Sequence, residues 1–143
     1  MSRDIKFRIY DTVEKEMFYQ EDIAYINFNS GIASIHQENG YDYLINFIGD
    51  DGEIMRNTGI KDKNGIEIYE GDIIQFVGDG CKSNGVVKYG IRRPKMINEN
   101  NELGFYVDWS SELCWRRDLI FWSRKCNVIG NIYKNQELMW RVD

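Results

Sequence analysis

Residues 57–74 pack two tight turns around a few alternating apolar and polar residues. Asp62-Lys63-Asn64-Gly65 is the first, and its Asn-Gly pair supplies the positive φ angles that a two-residue hairpin turn demands. Glu70-Gly71-Asp72 is the second, and Ile73-Ile74-Gln75-Phe76-Val77 leaves it as a strand. Ile66, Ile68, Ile73 and Phe76 are the apolar anchors around these turns. Turns this closely spaced confine the chain to short strands, which points to a mainly β fold.

The rest of the chain follows the same pattern. Ile5, Phe7 and Ile9 alternate with Lys6, Arg8 and Tyr10, the period of two that marks a strand. Residues 11–16 form a polar connection without glycine, and Met17-Phe18-Tyr19 returns as the second arm of a hairpin. Ile23 to Phe28, Ile32 to Ile35, and Tyr41 to Ile48 read as a small meander, with turns at Asn29-Ser30-Gly31 and Gly49-Asp50-Asp51-Gly52. Beyond Gly78-Asp79-Gly80, residues 85–90, 104–109, 119–122 and 126–133 read as strands, and residues 91–101 and 110–117 as loops or a turn. Asn135 is a candidate N-cap for a short helix over residues 136–140. The sum is many short strands, glycine-rich turns and one short C-terminal helix, a pattern that predicts a small barrel or roll.

Composition narrows the function classes. At 143 residues and 43% hydrophobic, the chain can bury a proper core. No long uncharged apolar run is present, so no membrane span is expected. Met1-Ser2-Arg3-Asp4-Ile5-Lys6 lacks the apolar core of a secretory signal, so the expected compartment is the cytoplasm. Three widely spaced cysteines, Cys81, Cys114 and Cys126, and the single histidine His36 offer neither short-spaced zinc ligand pairs nor a disulfide framework. The net charge of −5 is uneven. Residues 1–81 hold 7 Lys and Arg against 16 Asp and Glu, whereas residues 82–125 hold 9 against 5. An acidic total argues against a sequence-independent DNA binder, which draws its affinity from neutralising phosphates.

Three blocks carry a resemblance. The first is Ile5-Lys6-Phe7-Arg8-Ile9-Tyr10-Asp11 with Met17. The second runs from Thr58-Gly59-Ile60-Lys61-Asp62-Lys63-Asn64-Gly65 through Ile68-Tyr69-Glu70-Gly71-Asp72-Ile73. The third is Val128-Ile129-Gly130-Asn131-Ile132-Tyr133-Lys134-Asn135 with Glu137-Leu138. In this order they resemble the YopX family of phage and prophage proteins. The resemblance implies a small N-terminal β lobe over residues 1–56, an SH3-like β-barrel over residues 57–143, and a gene carried by a bacteriophage or prophage, acting in a bacterial host cell. It implies no mechanism, because SH3-like barrels host many unrelated functions.

The candidate chemistries divide unevenly. Asp62, Glu67, Glu70, Asp72 and Asp79 sit in or beside turns, where a carboxylate either binds a divalent cation or caps backbone amides. A calcium loop starting at Asp62 would close on a glutamate, yet Ile73 stands there, which favours capping. No nucleotide-binding glycine pattern and no catalytic motif is present, so the chain is read as non-enzymatic and without a cofactor. Residues 82–125 interleave cations with aromatics, an arrangement that grips peptides or stacks bases. The site residues expected there are Arg92, Arg93, Tyr106, Trp109, Trp115, Arg116 and Arg117. The partner expected is another protein, a second copy of the chain included. A single-stranded nucleic acid is the alternative ligand, and a metal-assisted enzyme the weaker alternative function.

Overall fold

The structure, a computed structural model, describes residues 5–78, 80–92, 102–109 and 118–139. These residues are mainly β, with one short α-helix among them. The chain divides into two compact units, Met1–Asn57 and Thr58–Asp143.

In the first unit, β1 (Phe7–Asp11) pairs antiparallel with β2 (Glu16–Phe18) on one side and with β6 (Gly52–Lys61) on the other. A separate three-stranded sheet is formed by β3 (Ile23–Asn27), β4 (Ile32–Ile35) and β5 (Tyr43–Asn46), with β4 in the centre. The alternation read from the sequence sends Ile9 into a core with Ala33, Ile35 and Ile45. The opposite face of β1 is buried as well: Arg8 and Tyr10 are both enclosed, and the Arg8 guanidinium donates to Met55 Sδ at 3.6 Å. The turn from β1 to β2, which has no glycine, places Lys15 at a φ of 57°. The Asp11 carboxylate caps that turn by accepting the amides of Val13 and Glu14, and it also accepts the Tyr43 hydroxyl.

The second unit contains β7 (Glu67–Tyr69) and an antiparallel sheet of β8 (Asp72–Gly78), β9 (Cys81–Arg92), β10 (Glu102–Trp109) and β11 (Cys126–Asn131), in the order β10-β9-β8-β11. One face of this sheet carries Ile74, Val87, Val107 and Trp109. They pack with Ile68, Leu119 and Cys126, and burying each such large side chain contributes roughly 1.5–3 kcal/mol. Gly85 lies directly across from Trp109, where a Cβ would run into Trp109 and Val107.

Four local expectations are corrected. The Asp62–Gly65 turn is not a two-residue turn with paired positive φ angles: Gly65 alone is left-handed, at 84°, and the Asp62 amide donates to the Ile66 carbonyl. The Asp62 carboxylate draws the loop into this form by accepting the Asn64 and Ile66 amides. Residues 119–122, read as a strand, are the helix α1 (Leu119–Ser123), whose buried Leu119 and Ser123 stand four apart on one face. The C-terminal helix shrinks to a 3-10 turn at Gln136–Leu138, and Asn135 does not cap it. Instead the Asn135 side chain accepts the Asn131 amide. The strand read over residues 85–90 extends to twelve residues, Cys81–Arg92, because its glycines fit inside the sheet rather than ending it.

Candidate interaction surface

Among the acidic turn residues, the candidate cation ligands, Asp62 and Asp72 are turned toward the backbone. Asp62 is buried and its carboxylate is filled by three backbone amides: Asn64 and Ile66 on Oδ1, and Val128 at 2.9 Å on Oδ2. The last of these ties the hairpin to β11 across 66 residues of sequence. Asp72 is also buried and accepts the Tyr69 amide at 2.7 Å, holding the Gly71 turn closed. Asn131 accepts the amides of Tyr133 and Lys134. Gly130 has no Cβ because the Asn135 side chain fills that space. The residues of the second and third blocks are therefore spent on backbone amides and close approaches. Glu67 and Glu70 are half-buried, and Asp79 lies outside the described residues. His36 is exposed in the first unit and Cys126 is fully buried in the second. Cys114 lies outside the described residues, as does the side chain of Cys81.

The expected site residues in 82–125 separate by strand alternation. Tyr106 and Trp109 both lie on β10, but an odd spacing of three puts them on opposite faces. Tyr106 is half-buried and pairs across the sheet with Lys88, whose ammonium meets Asp108 at 2.7 Å. That ion pair is solvent-exposed on both sides, so it contributes little to stability. Trp109 is only 7% exposed and stacks edge-on to Trp122 at 4.9 Å. It is a core residue and offers no free stacking face. Arg92 ends β9, opposite Glu102, and its side chain is outside the described set. Arg93, Trp115, Arg116 and Arg117 also lie outside the described residues.

The structure adds residues that charge patterning did not mark. Leu103 on β10 is 66% exposed and Ile120 on α1 is 65% exposed. Both line a cleft of about 220 Å³ between β10 and α1, floored by Phe105 and Leu119. Nearby, Tyr89 stacks edge-on to Phe105 at 4.9 Å, and the Lys125 ammonium sits 4.9 Å from the Phe121 ring. A second cavity of about 230 Å³ opens on the other face of the sheet, where Lys88, Asp108, Asn84 and Met139 meet. The Asn84 amide there is engaged by Gln75 and by the Leu138 carbonyl. Ile120 escapes a reading of residues 119–122 as a strand, because it is the helical twist of α1 that buries Leu119 and turns Ile120 outward.

The model of the YopX protein family matches residues 6–140. The chain belongs to the YopX family. Among solved structures, it is similar to protein EF1440 from Enterococcus faecalis, whose crystal structure superposes with a TM-score of 0.58 at 27% sequence identity, covering 96% of this chain and 99% of that one. No curated protein matches the chain. No helix among the described residues is long and apolar enough to cross a membrane.

Proposed function

We propose that this YopX chain is a phage- or prophage-encoded accessory protein that works as a non-enzymatic protein-interaction module in the cytoplasm of a bacterial host. In this reading the antiparallel strands of the second unit act as an SH3-like barrel, and residues 82–125 supply the docking face. One observation carries the choice of a protein partner: among the described residues, the open cleft between β10 and α1 is rimmed by exposed Leu103 and Ile120 and by no cation. Apolar side chains flanking a cleft suit a partner's side chain, whereas phosphate recognition needs Lys and Arg. The buried, amide-filled Asp62 and Asp72 support a scaffold role for the family blocks rather than a catalytic one.

The test is affinity capture from host lysate with the wild-type chain and with Leu103→Asp plus Ile120→Asp, followed by identification of what is retained. A protein retained by the wild type and lost from the variant is the expected result. Equal retention by both removes the cleft from the reading. Size-exclusion chromatography with light scattering, run with a mixed-sequence oligonucleotide at low salt, addresses the alternative. A discrete nucleoprotein peak replaces the protein-partner reading with a single-stranded nucleic-acid one, and the mass of the free chain shows whether it pairs with a second copy.

A further inference from the structure

From Glu16 to Met55 the chain runs for 40 residues without a single Lys or Arg while carrying eight carboxylates: Glu16, Glu21, Asp22, Glu38, Asp42, Asp50, Asp51 and Glu53. All eight are exposed. The same stretch contains the whole of the three-stranded sheet β3-β4-β5. One face of that sheet, bearing Ala33, Ile35 and Ile45, closes the core of the first unit. The other face is built differently. Tyr25, Ser34 and Leu44 are direct cross-strand neighbours, so their side chains share that face. Tyr25 is 53% exposed and Leu44 56% exposed, and further exposed apolar groups, Phe28, Tyr41 and Ile48, lie at the ends of the same strands. Between Tyr25 and Leu44, Ser34 is wholly buried and its hydroxyl has no hydrogen-bond partner.

We propose that this face is a docking surface for a basic, amphipathic segment of another protein. It lies in the first unit and stands independently of the reading of residues 82–125. The apolar side chains provide the contact area and the carboxylates select the charge. Exposed Glu21 and Asp22 lead into β3, Glu38 and Asp42 occupy the β4–β5 connection, and Asp50 and Asp51 follow β5. Lysines or arginines alternating with apolar residues complement this arrangement. A second copy of the chain is disfavoured, because a two-fold contact would set the same carboxylates against each other. Nucleic acid is disfavoured by its own charge. The Ser34 hydroxyl adds a polar group that a docked backbone can satisfy once Tyr25 and Leu44 part over it.

Fluorescence anisotropy on the full chain tests this, with one labelled peptide alternating leucine and lysine and another alternating leucine and glutamate. The lysine peptide is expected to bind, more weakly as salt rises, and the glutamate peptide not to bind. Leu44→Lys is expected to lower the affinity about tenfold or more. Val77→Ser, which changes an exposed valine of the second unit, is expected to leave it unchanged. If Leu44→Lys fails to fold, Asp22→Lys with Asp42→Lys, both at exposed positions, reads the same surface through its charge. Absence of binding by the lysine peptide overturns the proposal. So does equal binding of the two peptides, or a folded variant of this face that binds like wild type.

Discussion

Both units join short strands with tight turns held by a buried Asx side chain, yet they invest their remaining residues differently. In the second unit, Asp62, Asp72, Asn131 and Asn135 all face inward to backbone amides, and the Asp62 bond to Val128 ties the start of the unit to its last strand. In the first, only Asp11 does so from a buried position, capping the β1–β2 turn and joining Tyr43 on a neighbouring sheet; the capping side chains Asn27, Asn39 and Asn46 are exposed, and Tyr25, Phe28, Tyr41, Leu44 and Ile48 are left in solvent. The difference teaches that the family's most specific sequence blocks describe how the second unit is built. They say little about what the protein touches. Tyr25, Leu44, Leu103 and Ile120, the exposed apolar residues of the two proposed surfaces, all lie outside those blocks.

The largest expected effect tests whether the second unit depends on its buried carboxylate. Asp62→Ala leaves three amides without an acceptor. Water can reach those of exposed Asn64 and Ile66, but Val128 is half-buried on β11. The expected loss is about 3 kcal/mol. All four tryptophans, Trp109, Trp115, Trp122 and Trp140, fall in the second unit, so the midpoint of a urea melt followed by tryptophan emission reports on that unit. A loss below about 1 kcal/mol would break the comparison, because Asp62 would then be a turn former of no more consequence than Asp11.

A smaller effect is expected from the corresponding bond of the first unit. The hydrogen bond Tyr43 donates to Asp11, then its partial burial, then the negative charges of Asp11, Glu14 and Asp51 push its phenol up from the usual 10.0 to about 12. The protonated phenol is thus the form the folded state favours. Its contribution is fully present below pH 10.0 and is lost as the pH rises through about 12. Tyr43→Phe is expected to cost about 1 kcal/mol at neutral pH. The gap between variant and wild type should close across that alkaline window, as followed by far-ultraviolet circular dichroism in urea. A gap that persists unchanged above pH 12 would show that Tyr43 acts by packing and not through its proton.

What could be read from the sequence follows the range of the interactions involved. The turn at Gly71, the alternation of β1 and the strand leaving Asp72 depend on neighbours a few residues away, and all three were legible. The helix at Leu119–Ser123 was not, because a four-residue apolar run has no period long enough to separate helix from strand. The length of β9 was hidden for a different reason. Gly85 looked like a strand end, but it is glycine because Trp109 and Val107 of the next strand occupy the space of its Cβ. At the candidate surface, charge interleaving drew Tyr106 and Trp109 into one set, and the two-residue repeat of β10 placed them on opposite faces. The second anchor of Asp62, on Val128, is 66 residues distant and left no local trace.

The smallest expected effect sharpens the contrast in turn construction. Among the described residues, the left-handed turn positions of the second unit are held by glycine, as at Gly65 and Gly71, whereas the first unit uses Gly31 and Gly40 but also places Lys15 at a φ of 57°. A side chain in that region costs about 1 kcal/mol, because its Cβ crowds the backbone. Lys15→Gly relieves that strain but also gives the unfolded chain more freedom, so the net gain is expected to be at most about 1 kcal/mol. Removing the lysine also removes a cation between Glu14 and Glu16, which by itself disfavours the folded unit. Lys15→Ala separates the two contributions, since alanine loses the charge and keeps the strain. Glycine should therefore stabilise the first unit relative to alanine in a urea melt followed by circular dichroism. If the two variants match, the left-handed residue carries no strain. The first unit would then accept a lysine in its turn for the charge it brings to a strongly acidic stretch of chain.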